Sequence, residues 1–149
     1  MVTFVGKQGS FADAVKNLIE LDFDAVEAYE TALNKMENNT YKKYLQGFKE
    51  DHERHIKELS ALLTKHNEEP PHGPSSVKHW LTKGKVVMAE ILGDDLILRA
   101  LRSNEIDTLT AYRRMDERVD RWPDSESILH RGLEDEKRHN AWLEKQLSE

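Results

Sequence analysis

Cysteine is absent from the 149 residues, which excludes disulfides, thiolate metal sites, iron–sulfur clusters and thiol catalysis. Glycine and proline are sparse, at 7 and 4, as suits long helices better than a chain built of turns. No stretch approaches the roughly 20 apolar residues of a membrane helix. Residues 1–30 show no signal-peptide pattern, so a cytoplasmic protein is expected. Positive charge is in deficit: 22 Lys and Arg against 28 Asp and Glu leave a net charge of −6, and neither nucleic acid nor an anionic membrane is an expected partner. A Gly-rich phosphate loop, a serine-nucleophile motif, a glycosidase carboxylate signature and strand-like alternation are all missing. What is present is a chain 34% charged and 38% hydrophobic, long enough for a single domain over 1–149 with a sizeable core. Its polar chemistry must rest on His, Asp and Glu.

Helical periodicity predicts four long segments. The first starts near Ser10, a candidate N-cap with Asp13 three residues on, and runs to about Asn38. Its apolar stripe reads Val15, Leu18, Ile19, Ala25, Val26, Tyr29 and Leu33. A short turn at Asn38, Asn39 and Thr40 implies an antiparallel neighbour. The second segment spans about 41–66 with Tyr41, Leu45, Phe48, Leu59 and Leu62 on its seam. Pro70, Pro71, Gly73 and Pro74 then forbid a continuous helix, and residues 67–93 read as a crossover with a weakly helical stretch at 77–92. Gly93 and Asp94 read as a stop and a new N-cap. The third segment, about 95–120, carries Ile97, Leu98, Leu101, Leu109, Tyr112 and Met115, and the fourth, after a turn at Pro123, carries Leu129, Leu133 and Leu143 to about 147. Short link, long crossover, short link is the connectivity of an all-α four-helix bundle with one crossover, as in ferritin-like folds.

The informative residues are those that interrupt the apolar seams. Asp22 falls between Leu18 and Val26 on the first stripe, and Glu105 falls between Leu101 and Leu109 on the third. His52 and His55 lie on the seam of the second segment, and Glu136 and His139 on that of the fourth. Burying an unpaired carboxylate is costly, so four helices aiming acids and imidazoles at one level call for a common explanation. The halves also repeat each other. Asp22, Ala28 and Tyr29 align with Glu105, Ala111 and Tyr112 at one constant offset. The run Asp51-His52-Glu53-Arg54-His55 aligns with Asp135-Glu136-Lys137-Arg138-His139, and Leu59 with Leu143. Two residues three apart share a helix face and reach one small target. Two such pairs plus one carboxylate from each other helix match an in-core dimetal carboxylate arrangement, and iron or manganese suits the mixed oxygen and imidazole donors.

On these residues the chain resembles the ferritin-like superfamily of bacterioferritins, rubrerythrins and smaller bacterial ferritin-like proteins, over nearly its whole length and least well in 67–92. In that family each half supplies a Glu, a Tyr seven residues later, and a Glu-x-x-His. The resemblance implies that Glu105 is a terminal ligand, Glu136 a bridging carboxylate and His139 a terminal imidazole. It also implies that Asp51 and Asp135 orient the histidine of the opposite helix. The first half departs from the pattern twice, with Asp22 where Glu is usual and His52 where a bridging Glu is expected. An imidazole brings no negative charge, and when neutral it has one free nitrogen. Two iron or manganese ions with one bridge fewer, or a single ion, zinc included, held by His52, His55 and an acid, both fit. With two irons, the resemblance implies a ferroxidase- or peroxidase-like oxidation of Fe(II) by O₂ or peroxide.

Other readings stay open. Taken singly, each of these residues is commonly a seam or core residue with satisfied hydrogen bonds. As a set, they form either a metal site or a polar layer in a non-catalytic stress or interaction module. A bundle that senses or delivers metal without turnover is a third reading. Tyr29 and Tyr112 fit core packing with a tethered hydroxyl as well as a role beside the site. Glu20, Asp24, Glu27, Glu30, Glu50, Glu53 and Glu58 are expected on solvated faces. His66, His72, His79 and His130 fall outside the constellation, and Trp80, Trp122 and Trp142 are expected to plug the crossover and the bundle ends. The lack of cysteine excludes a rubredoxin-type iron site, and the expected assembly is a small oligomer such as a homodimer.

Overall fold

Local signals in the sequence account for where each helix begins and ends. The computed structural model describes residues 3–74 and 93–148. Helix α1 is Phe11–Lys35, and the Ser10 side chain accepts from the Asp13 N–H at 3.1 Å. It satisfies one of the donors that a helix start leaves free. The helix stops at Lys35, short of the expected end, because Met36 is extended. Helix α2, Asn39–Lys65, begins earlier than expected: Asn38 caps it through the Tyr41 N–H, so Asn39 and Thr40 belong to the helix and not to the turn. Helix α3, Asp94–Glu117, has Gly93 as its N-cap at φ 101°. Asp94 is therefore the first helical residue and not the cap. Its carboxylate instead accepts from the Glu37 and Asn38 N–H groups at 2.8 Å each. A 3₁₀ turn at Pro123–Ser125 leads into α4, Glu126–Ser148.

The described residues are all-helical, four long helices with no strand. The two hairpin pairs, α1 with α2 and α3 with α4, pack most extensively, and α1 against α3 and α2 against α4 close the bundle. Cross-links give the directions. The N-terminal arm is gripped by Arg114 and Arg118 near the end of α3, while the end of α1 meets the start of α3. At the start of α2, Tyr44 stacks on Trp142 near the end of α4 and Tyr41 meets the same ring edge-on. All neighbours are thus antiparallel, and α2 ends at the opposite end of the bundle from the start of α3, as a long crossover requires. The expected helical stretch at 77–92, with His79 and Trp80, lies outside the described residues.

The apolar core is in two pieces. One gathers Val15, Leu18, Leu59, Leu63, Met115 and Leu129 towards the start of α1. The other gathers Tyr29, Leu45, Phe48, Leu101 and Leu143 towards its end. Between them, on every helix, lie the polar seam residues. Trp122 plugs one end, stacked on His66 with ring centroids 3.8 Å apart and edge-on to Phe11. Asp24 departs from expectation: it is buried, because α1 buries a second flank of Leu21, Asp24, Ala25 and Ala28 at helical spacing.

Candidate metal centre

Asp22 of α1, His52 and His55 of α2, Glu105 of α3, and Glu136 and His139 of α4 converge in the layer between the two cores. None is more than 3% exposed. They form two overlapping groups positioned to hold a metal ion: Asp22, His52, His55 and Glu136, and His52, Glu105, Glu136 and His139. In the first, Asp22 Oδ1 lies 2.8 Å from His52 Nδ1 and 3.4 Å from His55 Nδ1. Glu136 Oε1 stands 3.6 Å from both of those nitrogens. In the second, Glu105 Oε1 lies 3.1 Å from His52 Nε2 and 3.4 Å from His139 Nδ1, and Glu136 Oε2 is 3.6 Å from His139 Nδ1.

The residues around this layer aim it. His55 Nε2 donates to Asp135 at 2.9 Å and His139 Nε2 to Asp51 at 2.8 Å, so each histidine is oriented by the acid on the facing helix and turns Nδ1 inward. Arg54 bonds Asp135 at 2.5 Å and Asp51 at 3.2 Å, and Arg138 bonds Asp51 at 2.8 Å and Asp135 at 2.9 Å. The tyrosines cross the bundle: Tyr112 donates to Asp22 Oδ2 at 2.6 Å, and Tyr29 makes a very short bond to Glu105 Oε1. Outside His139, a groove of ≈ 1030 Å³ is lined by Tyr44, Phe48, Asp51 and Arg138 among others. It brings solvent to within one side chain of the cluster.

Protonation follows from burial set against charge. Burial opposes ionisation of Asp22, yet hydrogen bonds from His52 and His55 hold its carboxyl below the usual value. Burial likewise opposes the charged forms of the histidines. The Glu136 and Glu105 carboxylates still hold His52 well above its ordinary value, and Glu105 and Asp51 do the same for His139. Hydrogen bonds to Asp135 and Asp22 raise His55 to about 9. Burial and the neighbouring Glu105 carboxylate push Glu136 up to about 7. Asp51 and Asp135, despite burial, are held below the carboxylate range by His139 with Arg138 and by His55 with Arg54. Burial, then the charges of Glu105 and Asp22, keep Tyr29 and Tyr112 protonated. A cation entering the layer therefore displaces protons from imidazoles.

Two buried atoms of the cluster, Glu136 Oε1 and His139 Nδ1, have no hydrogen-bond partner. A native core rarely leaves such atoms unsatisfied without a ligand, water or ion to meet them. The donor set, three carboxylates and three imidazoles, suits a first-row divalent metal.

Sequence reasoning passed over several participants. Thr108 donates to Glu136 Oε2 at 2.8 Å or to Glu105 Oε2 at 3.0 Å. Asn140 ties α3 to α4 through the Glu105 and Glu136 carbonyls at 3.1 and 3.0 Å. Thr108 was findable, being polar on the seam between Glu105 and Tyr112, but Asn140 carries no signal beyond lying beside His139. Arg54 and Arg138 sit at matched places in the repeated run, and that match was the available cue. Gly132 lies where a Cβ would come within 2.5 Å of the Tyr112 ring, so its bareness is what admits the tyrosine.

Fold and site together define a four-helix bundle with a buried histidine–carboxylate layer positioned to hold a metal ion. The chain belongs to the family described as Domain of unknown function (DUF2383), which it matches over residues 10–118. That span contains Asp22, His52, His55 and Glu105 and ends before α4. The fold is similar to the crystal structure of a conserved hypothetical protein, Rv2844, from Mycobacterium tuberculosis, with a TM-score of 0.76 and 12% identity over 94% of this chain and 92% of that one. At that identity the likeness concerns the fold alone. None of the curated proteins compared matches this chain in sequence.

Proposed function

We propose that this protein binds iron or manganese in the polar layer of a ferritin-like bundle and, with iron, oxidises Fe(II) at the expense of O₂ or peroxide. The observation that carries the reading is the pair of orphaned atoms, Glu136 Oε1 and His139 Nδ1, buried and facing into a cluster with four further ligand residues, Asp22, His52, His55 and Glu105. Asp22, His52, His55, Glu105, Glu136 and His139 would hold the metal, which supplies one-electron redox chemistry when bound. Asp51 and Asp135 keep the inner nitrogens of His139 and His55 turned towards it. The two tyrosine hydroxyls and Thr108 fix the carboxylate orientations, and the apolar pieces above and below limit water to the groove side.

A non-catalytic stress or interaction module with a polar or structural-metal layer is the second reading. It is favoured by the extent to which Asp22, His52 and Glu105 already satisfy one another. Metal content separates the metal site from a metal-free polar layer, and Fe(II) oxidation separates a redox site from a structural one. Protein purified without chelator or affinity metal should carry one or two iron or manganese ions per chain, and a His139→Ala variant should lose them. Absence of bound metal, even after anaerobic reconstitution with Fe(II) or Mn(II), overturns the metal reading. Bound metal with no Fe(II) oxidation would leave binding in place and remove the activity.

A further inference from the structure

The inference here rests on the metal reading above and concerns how His52 serves it. His52 and Glu136 are the residues common to both metal-competent groups, and both present two ligand atoms to opposite sides. For Glu136, Oε1 faces His52 and His55 while Oε2 faces His139 and Thr108. For His52, Nδ1 lies 2.8 Å from Asp22 Oδ1 and Nε2 lies 3.1 Å from Glu105 Oε1. The two acids that His52 separates come from different helices and belong to different groups, each with its own histidine: His55 beside Asp22 and His139 beside Glu105. The ring therefore stands between two half-sites, with one nitrogen addressed to each.

We propose that His52 bridges two divalent metal ions as an imidazolate. Nδ1 serves the ion held by Asp22 and His55, Nε2 serves the ion held by Glu105 and His139, and Glu136 is shared. Charge argues for the anion as strongly as geometry does. Asp22, Glu105 and Glu136 bring three negative charges against four positive ones, and the surplus would sit in a layer with almost no solvent exposure, where an uncompensated charge is costly. The nearby acids Asp51 and Asp135 do not supply the missing charge, since they face the outer nitrogens of His139 and His55 and are engaged by Arg138 and Arg54. An imidazolate does supply it. A neutral imidazole keeps one N–H, so binding of the second ion replaces that N–H bond by a nitrogen–metal bond and releases the proton to solvent, with no electron transferred.

The test uses Mn(II) as the probe, on the full chain. Metal positions come from anomalous scattering in anaerobically loaded crystals, and ions per chain from elemental analysis in solution. Two ions on opposite nitrogens of His52 are expected, about 6 Å apart, because each metal–nitrogen bond adds about 2 Å on either side of the ring. In His52→Glu the bridge becomes a carboxylate, and the pair should close to the roughly 3.5–4 Å of ordinary two-metal sites. His52→Gln, which cannot bridge through two nitrogens, should retain at most one ion. Two ions at the short spacing in the unmodified protein, a single ion bound by one nitrogen, or two ions at unchanged spacing in His52→Gln would each overturn the bridge and leave metal binding intact. No ion at all would instead overturn the metal reading itself. The unmodified protein decides the matter even where a variant fails to fold.

Discussion

The two halves of the bundle surround one centre with matched groups, yet several aligned positions around that centre differ. Where α2 has His52, α4 has Glu136, and where α1 has Ala25, α3 has Thr108. Ile56 aligns with Asn140, and Phe48 with Gly132. A buried carboxylate needs donors brought to it, and the second half provides Thr108 on Glu136 Oε2, with Asn140 fastening the two helices that carry the acids. An imidazole carries its own donors, so apolar Ala25 and Ile56 suffice in the first half. The exchange of Phe48 for Gly132 has a steric meaning. Phe48 packs on His139 with ring centroids 4.2 Å apart, whereas Gly132 leaves the space that the Tyr112 ring fills. These exchanges occur together around a centre to which the first half brings two imidazoles and one acid, and the second half two acids and one imidazole.

The largest break in this comparison comes from Glu136, the carboxylate facing both sides. Glu136→Ala should weaken Mn(II) binding by more than about 100-fold, beyond the range usual for outer partners of a ligand, as measured by equilibrium dialysis. Unchanged affinity would remove Glu136 from the site.

Next comes pH, which acts on the imidazole-rich side. The folded value of His55 is raised to about 9 from about 6.5 when unfolded. Its contribution is therefore fully present below about pH 6.5 and is lost as pH rises through 9. Glu136, raised to about 7 from about 4.3, has the same sign over a lower span. Urea denaturation of metal-free protein should show a loss on the order of a few kcal/mol between pH 6 and 9.5, while Mn(II) affinity climbs as protons cease to compete. A flat stability profile would contradict the pairing of His55 with Asp22 and Asp135.

Asp51→Asn and Asp135→Asn sharpen the comparison, since each acid serves the histidine of the opposite half. Each should cost about 10–100-fold in metal affinity. Equal losses would mean that the outer layer is symmetric although the inner one is not, and no loss in either would show that the histidines need no such anchor. The smallest effect is expected from Thr108→Val, about 1 kcal/mol of stability with a further rise in the Glu136 titration followed by carbon NMR. An unmoved Glu136 titration would show that Thr108 serves Glu105 instead.

Much of this architecture was legible because it is periodic. Long apolar stripes at helical spacing, sparse Gly and Pro, and one proline-rich break determine four helices with a crossover. Polar residues on those stripes, such as Asp22 and Glu105, stand out against them. Helix ends were less legible. Met36 ends α1 and Asn38 starts α2 through a competition among nearby caps that each cost or contribute only about 1 kcal/mol. Asp24 was misread because a single predicted seam underestimates how much of α1 is enclosed between two neighbours.

The chain by itself therefore determined the helices, the buried layer and its six acids and imidazoles, because burial leaves a repeating mark on composition. Only the tertiary structure decided which nitrogen of His52 meets which acid, that Asp51 and Asp135 hold the far histidines, that Thr108 reaches Glu136, and that Gly132 makes room for Tyr112. Those are relations between helices, set by how the bundle is rotated and spaced. A contact across that gap has no fixed separation along the chain from which to be read.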